Sequence, residues 1–355
     1  MKKTEINSVE IARLAGVSRS TVSRVINNYA NVPPETRRKV MEVIDAYHYV
    51  PNLSAQVLAG KGTRTIGLFV IEAGRVSGDM LTNLLLASVV EHASARGYYV
   101  LTYIIRSTSD ADNVRGVKDA FYQRRVDGGI FIGAANEEPL IEELIGEGFA
   151  IGVVDQHLPD RNEGNRIVAN FDNAYGMSLA VGYLSELGHR DIGIVNGDMN
   201  RYSGIDKYNG FLQAMREHGL EVREPWVRPG SFHEEAGYQA ARKLLEEEKR
   251  LPTAMIMAND SIAFGAIRAF QEAGMSVPAD MSVIGFDDHA LSARYKPALT
   301  TVAIDFGEMM RSLTDYVIGH IEGAEGTAIR YMSRSKLIRR ESCRPIGQSS
   351  IRDTE

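Results

Sequence analysis

From residue 65 onward, short β-branched and apolar runs alternate with longer amphipathic stretches, and this alternation restricts the fold more than any other feature of the chain. The strand-like runs are 65–71, 98–105, 126–132 and 150–154, then 191–196, 253–258 and 281–286. Helical spacing fills the intervals at 79–96, 110–124, 172–187, 204–218, 234–249 and 260–273. Strands separated by helices pair in parallel rather than as hairpins. Two such series predict two similar lobes with a ligand cleft between them, although no internal sequence repeat is visible.

The first 50 residues follow a different period. Val9, Ile11, Ala12 and Ala15 fall at helical spacing over 8–15; Gly16-Val17 follows, and Ser18 offers a hydroxyl N-cap to a second helix over 19–28. Val22, Val25 and Ile26 form its apolar stripe, which turns Arg19, Ser20 and Ser23 outward. Two helices joined by a glycine-containing turn make the helix-turn-helix pattern. A third helix opens near Pro34, a good first-turn residue, and runs to about Tyr47, with Val40, Val43, Ile44 and Tyr47 inward. After Pro51, Asn52 can cap a stretch of seven residues that ends at Gly60. Seven residues fall below the roughly 12 to 15 that an isolated helix needs in water, so this one forms only against a partner.

Charge divides at the same boundary. The net charge is −6, but residues 1–64 hold ten Lys and Arg against five acids, leaving thirty against forty-one in the remainder. A head of +5 on a body of −11 points the head at a polyanion and the body at another task. The 355 residues suffice for two or three compact units, and no stretch reaches the roughly 18 uninterrupted apolar residues of a membrane span. The start carries no apolar signal core, so the expected location is cytoplasmic. The single cysteine, Cys343, excludes an internal disulfide and a multi-thiolate metal site, and reads as an inert thiol.

The segments Val9-Glu10-Ile11-Ala12-Arg13-Leu14-Ala15-Gly16-Val17-Ser18, Thr21-Val22-Ser23-Arg24-Val25-Ile26-Asn27, Tyr49-Val50-Pro51-Asn52 and Leu58-Ala59-Gly60-Lys61 resemble, in order, the lactose-repressor (LacI/GalR) family of transcription factors. Later landmarks extend the resemblance over the whole chain: Asp127-Gly128, Asp172-Asn173, Leu187-Gly188-His189, Gly210-Phe211, Ala258-Asn259-Asp260, Gly285-Phe286-Asp287-Asp288, 297–301 and Arg340-Glu341-Ser342. The resemblance implies an all-α helix-turn-helix head (1–50), a hinge helix and linker (51–63) and an α/β two-lobed body with parallel sheets, like a periplasmic binding protein (64–346). The N-lobe would take about 64–170 and 305–323, the C-lobe about 171–304 and 324–346, with a polar tail at 347–355.

It also implies roles. The second helix enters the DNA major groove, with Arg19 and Ser20 at base edges and Thr21, Ser23, Arg24 and Asn27 on phosphates or bases; Ser18 and Asn31 belong to the same set. A guanidinium can donate two parallel bonds to guanine, so Arg19 predicts a guanine in each half-site; a phosphate contact is the competing role. Asn52, Ala55 and Leu58 fall on the hinge, with Leu58 as an apolar wedge in the minor groove; the alternative is a passive linker. Two half-sites require a homodimer, and the tail has no heptads that could build a tetramer. Pro33-Pro34 departs from the family's hydroxyl cap on the third helix, which leaves that helix uncapped.

In the body the resemblance places a small effector, commonly a sugar, against Asp155, Phe171, Lys207, Phe232, Asn259 and Asp287. Carboxylates and an amide suit hydroxyls, and a phenyl face suits the C–H face of a sugar ring. Lys207 stands where arginine is usual; without the bidentate fork a lysine still suits a carboxylate or phosphate as a point charge. Inducer and corepressor use the same lobes, and family frequency favours induction. A phosphorylated carrier protein is a second kind of corepressor that such a regulator can take. The body alone would also pass for a solute-binding or sugar-converting protein, but no catalytic constellation or cofactor motif occurs, so no enzyme is expected.

Other motifs fail on spacing. His233-Glu234-Glu235-Ala236-Gly237 lacks the second histidine of a zinc helix, and 128–133 lacks the spacing of a phosphate loop. The late basic residues Arg334, Lys336, Arg339 and Arg340 read as a solvated surface.

Overall fold

The computed structural model describes residues 6–50 and 62–346 apart from 73, 75, 79, 325 and 327. Contacts divide the chain into two compact units, Met1–Thr63 and Arg64–Glu355.

The head holds α1 (Ser8–Leu14), α2 (Arg19–Ile26) and α3 (Pro34–Ala46). Asn7 caps α1 and Ser18 caps α2, each accepting backbone N–H groups of the first turn, while Pro33 gives α3 no side-chain cap. Gly16 takes the left-handed conformation (φ +67°) that reverses the chain between α1 and α2. Ile11, Ala12, Val22, Val25, Val32 and Val40 close the core from all three helices. The second helix ends two residues before the expected 28, because Asn28 at φ +55° is left-handed and stops it.

The body contains two six-stranded sheets. In the first, β1 (Thr65–Ile71), β2 (Tyr99–Ile105), β3 (Gly128–Ile132), β4 (Ala150–Val154), β5 (Arg166–Phe171) and β11 (Ile329–Ser333) run parallel in the order β11-β5-β4-β3-β1-β2. In the second, β6 (Ile192–Val195), β7 (Val227–Arg228), β8 (Ala254–Met257), β9 (Ser282–Asp287) and β10 (Thr300–Ala303) are parallel. Its edge strand, β12 (Lys336–Ile338), pairs antiparallel with β10. Helices α4 (Met80–Ala95), α5 (Ala111–Tyr122), α6 (Pro139–Gly146) and α11 (Phe306–Ile321) belong to the first lobe. The second lobe holds α7 (Asn173–Glu186), α8 (Tyr202–Glu217), α9 (Glu234–Glu247) and α10 (Asp260–Glu272).

The lobe boundaries need one correction. The expected return to the second lobe at 324 comes one strand later: β11 pairs with β5 from Ile329↔Ile167 to Ser333↔Phe171, so the chain crosses back at 334–335. One apolar core joins inner faces of both lobes, from Leu68 and Ile130 to Ile284 and Phe286. On the outer face of the first sheet, Phe69 stacks on Phe121 and Phe131, and a Cβ at Gly129 would stand 2.7 Å from the Phe121 ring. In the second lobe Gly237 and Gly265 let α9 and α10 touch backbone to backbone, since a Cβ on either would strike a carbonyl of the other helix. Gly237 therefore serves helix packing. Among the described residues no group of three or more His, Cys, Asp and Glu gathers as a metal site requires, and no helix is long and apolar enough to cross a membrane.

Two further sequence expectations meet contacts. Arg340 is no free surface cation: it donates to Asp288 at 2.6 Å and to the Leu299 carbonyl at 2.8 Å, and Arg339 lies over the Tyr183 ring. Burial pushes the Cys343 thiol up to about 12, which leaves no thiolate near neutrality.

Candidate nucleic-acid interface and effector cleft

The residues expected on DNA lie on one side of the head. Ser18, Arg19, Ser20, Ser23, Arg24 and Asn31 are exposed, and Thr21 and Asn27 are half-buried. Ser18 has a dual use: its hydroxyl oxygen accepts from the Thr21 N–H at 3.1 Å and lies 2.7 Å from Ser20 Oγ. Arg19 Nε donates to Ser8 Oγ at 3.2 Å, which fixes the side chain by its inner nitrogen and leaves both terminal nitrogens for a bidentate partner. Asn27 Nδ2 donates to Ser23 Oγ one turn earlier. Asn52, Ala55 and Leu58 lie outside the described residues.

In the body the six expected effector residues line one cleft between the lobes, with about 650 Å³ of empty space including its open mouth. Strand ends deliver four of them: Asp155 follows β4, Phe171 ends β5, Asn259 follows β8 and Asp287 ends β9; Lys207 lies on α8 and Phe232 just before α9. Placement at the carboxyl ends of parallel strands is where open α/β sheets bind ligands. Both Asp155 (φ +69°) and Asp287 (φ +112°) occupy the left-handed region that L side chains rarely adopt. Such strain persists where surrounding structure holds it, commonly at functional sites.

Several of these groups are tied to the protein. Asp155 accepts from the Ser203 N–H at 2.8 Å and the Ser203 hydroxyl at 2.6 Å, joining the first lobe to the start of α8. Burial pushes its pKa up, and the Ser203 bond opposes that rise. Asn259 caps α10, accepting from the Ile262 N–H at 2.8 Å, and donates to the Phe232 carbonyl at 2.9 Å. Lys207, 1% exposed, donates to the Ala258 carbonyl at 2.7 Å. Its Nζ lies 4.0 Å from the Phe286 ring centre, 5.3 Å from Phe171 and 5.5 Å from Phe232. Desolvation lowers its pKa against the pull of Asp287 and Asp155. The lysine is thus an interior pillar of the cleft wall, its ammonium donating to a backbone carbonyl of the protein.

Residues outside the sequence reading also line the wall, among them Leu81, Thr82, Leu85, Arg201, Ser203 and Phe306. Arg201 matters most chemically, because its guanidinium carbon stands 5.6 Å from the Phe232 ring centre and its nearest carboxylate, Asp198, is 3.9 Å away. A signal for it existed. Arg201 is the N-cap residue of α8, where a cation opposes the helix dipole, and such local conflicts mark functional positions. Beside the cleft, His157 stacks on Tyr202 at 5.0 Å and the Asn136 N–H donates to the Asn200 carbonyl at 3.2 Å, both across the lobes. His233, next to Phe232, also reaches the other lobe, its Nε2 standing 3.5 Å from Glu72 Oε1.

Comparison with known proteins agrees with this division. Residues 9–52 match the family model described as "Bacterial regulatory proteins, lacI family", and residues 181–343 match "Periplasmic binding protein-like domain". The HTH-type transcriptional repressor PurR of Actinobacillus pleuropneumoniae serotype 3 (strain JL03) is 34% identical over 293 residues, 82% of this chain and 84% of that one. Among solved structures, the Lac repressor dimer bound to operator and the anti-inducer ONPF aligns with a TM-score of 0.81 at 26% identity, over 96% of this chain and 100% of that one. The complex of the transcriptional regulator CelR with cellobiose aligns at 0.73 and 28%, over 95% and 99%.

Proposed function

The chain belongs to the lacI family of bacterial regulatory proteins, and from that premise we propose that it represses a carbohydrate-utilisation operon as a homodimer on an inverted-repeat operator, under control of a sugar-like effector. The observation that carries this reading is the pairing of one exposed helix face with one cleft: α2 presents Arg19, Ser20 and Ser23, and the body gathers all six expected effector residues around one space.

Phe171 and Phe232 supply apolar faces for a sugar ring, while Asp287, Thr82 and Arg201 stand among them as hydroxyl partners. A related regulator of known structure holds cellobiose, which supports a hydroxylated ligand. Dimerisation through the first lobe is supported by its edge strand β2, where Tyr99 is 74% and Leu101 40% exposed, beside exposed Leu84 and Val90 on α4. Control requires that the effector bind one closure angle of the lobes better than another, because equal affinity for both shifts nothing. The cross-lobe contacts of Asp155 with Ser203 and of His157 with Tyr202 are the groups that closure makes or breaks.

The test is retention of sheared genomic DNA by the purified protein at near-physiological salt, followed by sequencing. One inverted repeat beside sugar-utilisation genes is the expected result, and those genes name the sugars to titrate. Arg19→Ala should then cost roughly 1 to 3 kcal/mol and relax the preference for one guanine per half-site. Recovery of no common sequence, with and without added cell extract, would overturn the operator reading.

A further inference from the structure

The recognition helix ends in a turn that the sequence alone does not explain. Asn28 is left-handed, its N–H donates to the Val25 carbonyl at 3.0 Å, and the Tyr29 N–H reaches back to the Arg24 carbonyl at 3.0 Å. These two bonds form the turn that glycine usually closes, because a side chain at the left-handed position costs energy. Here the position holds asparagine, and Asn27, just before it, and Asn31, just after, belong to the surface assigned to DNA.

The third helix supplies the missing support. Arg37, half-buried in its first turn, donates from Nη1 to Asn28 Oδ1 at 2.7 Å and from Nη2 to the Tyr29 carbonyl at 2.6 Å. Nη1 also lies 3.5 Å from the Val25 carbonyl, one of the acceptors at the end of α2. Three acceptors of one turn thus converge on one guanidinium, and a cation at this end also complements the helix dipole. The two following basic residues differ: Arg38 pairs with Glu42 and Lys39 with Glu35 on the exposed side of α3. Pro33 leaves α3 without a side-chain cap, so nothing at its own first residue fastens it to the turn.

We propose that Arg37 is a positioning residue for DNA reading, which locks the turn after the recognition helix and so sets where Asn27 and Asn31 stand relative to Arg19. It acts through the turn and not by contact with phosphate. This rests on the operator reading above, and wild-type binding to the recovered repeat tests that reading separately.

The experiment compares the full-length protein with Arg37→Met and Arg37→Lys on the recovered inverted-repeat duplex and on a scrambled duplex of equal length, across a salt series, alongside thermal melting. Positioning predicts about tenfold weaker binding to the repeat for both variants, since lysine keeps the charge without the fork, and scrambled-duplex affinity within about twofold. The slope of affinity against salt should stay unchanged. Three results would overturn the proposal: equal weakening on both duplexes with a salt slope reduced by about one, which marks a phosphate contact; binding restored by lysine alone; or a lowered melting temperature with unchanged affinity well below it. Melting of the variants separates lost folding from lost positioning.

Discussion

In the head, every described residue assigned to DNA lies between Ser18 and Asn31, on one short helix and the turn after it. In the body, the six residues assigned to the effector span Asp155 to Asp287 and meet because strand ends, one helix and one loop come together at one cleft. The head's site residues are mostly exposed and outside its core, whereas Asn259 caps a helix, Lys207 props a carbonyl and Asp155 ties two lobes. Function and stability should therefore separate in the head and move together in the body.

The severest break in the comparison is a change that damages one unit alone. Gly265→Val drives a side chain into the Glu234 carbonyl where α9 and α10 touch, and should cost the body about 3 kcal/mol or more. Calorimetry should show the body's transition lowered while the head keeps its own, since the two are separate compact units. A single transition in which the head falls with the body would deny that separation.

Asn259→Ala comes next. It removes the cap of α10 and the bond to the Phe232 carbonyl, so about 2 kcal/mol of body stability and effector affinity should be lost together. Arg19→Ala is its counterpart, with operator affinity lost and melting unchanged. If Asn259→Ala abolished effector binding without touching stability, the coupling drawn above would be wrong.

How much could be read in advance follows the same division. Ser18, Gly16 and Pro34 act through neighbours within four residues, so caps, turn and helix were legible from spacing. The alternation of strands and helices fixed two parallel lobes by a similarly local pattern. What escaped is non-local: β10 carries Thr300 and Thr301 fully buried, with the Thr300 hydroxyl accepting from the Arg340 N–H and the Thr301 hydroxyl donating to Asp260, partners far away in the sequence. The return of β11 to the first sheet left no mark in composition, because pairing partner is decided by crossover geometry. The cleft residues were reached through family resemblance, and Arg201, which the motifs do not include, was missed although its place at a helix start was itself unusual.

Acidity distinguishes the units more gently. Burial pushes Asp260 up to about 7 against hydrogen bonds from Ser292, Thr301 and the His289 N–H. A carboxyl whose folded pKa is raised stabilises fully below its unfolded value of 3.8, and that contribution is lost as pH rises through about 7. His189, held by Thr253 Oγ1 and the Arg344 carbonyl, has its pKa lowered by burial. Its contribution is present above 6.5 and is lost as pH falls below that value through its folded pKa. As pH falls below 7 the body's stability should thus rise, by up to about 1 kcal/mol per pH unit, and then level off below 6.5, where the loss from His189 offsets the gain from Asp260. In the head, Arg13 lowers the pKa of Glu10, so that contribution fades only as pH falls below 4.5. Asp260→Asn should remove the bend near neutrality and leave the head's transition as it was.

The smallest effect concerns His233 and Glu72, which face each other across the lobes at 3.5 Å. His233 is 49% exposed on its side chain, so solvent screens the contact and it is worth at most about 1 kcal/mol. It nevertheless forms only when the lobes approach, which gives it a bias toward the closed arrangement that a contact within one lobe lacks. His233→Ala should weaken effector binding by about two- to threefold at low salt, with the loss shrinking as ionic strength rises. Operator affinity without effector should change by no more than about twofold, since solvent screens the contact. A loss of tenfold or more that persists in high salt would mean that His233 contacts the effector itself, and this pair would then belong to the binding site.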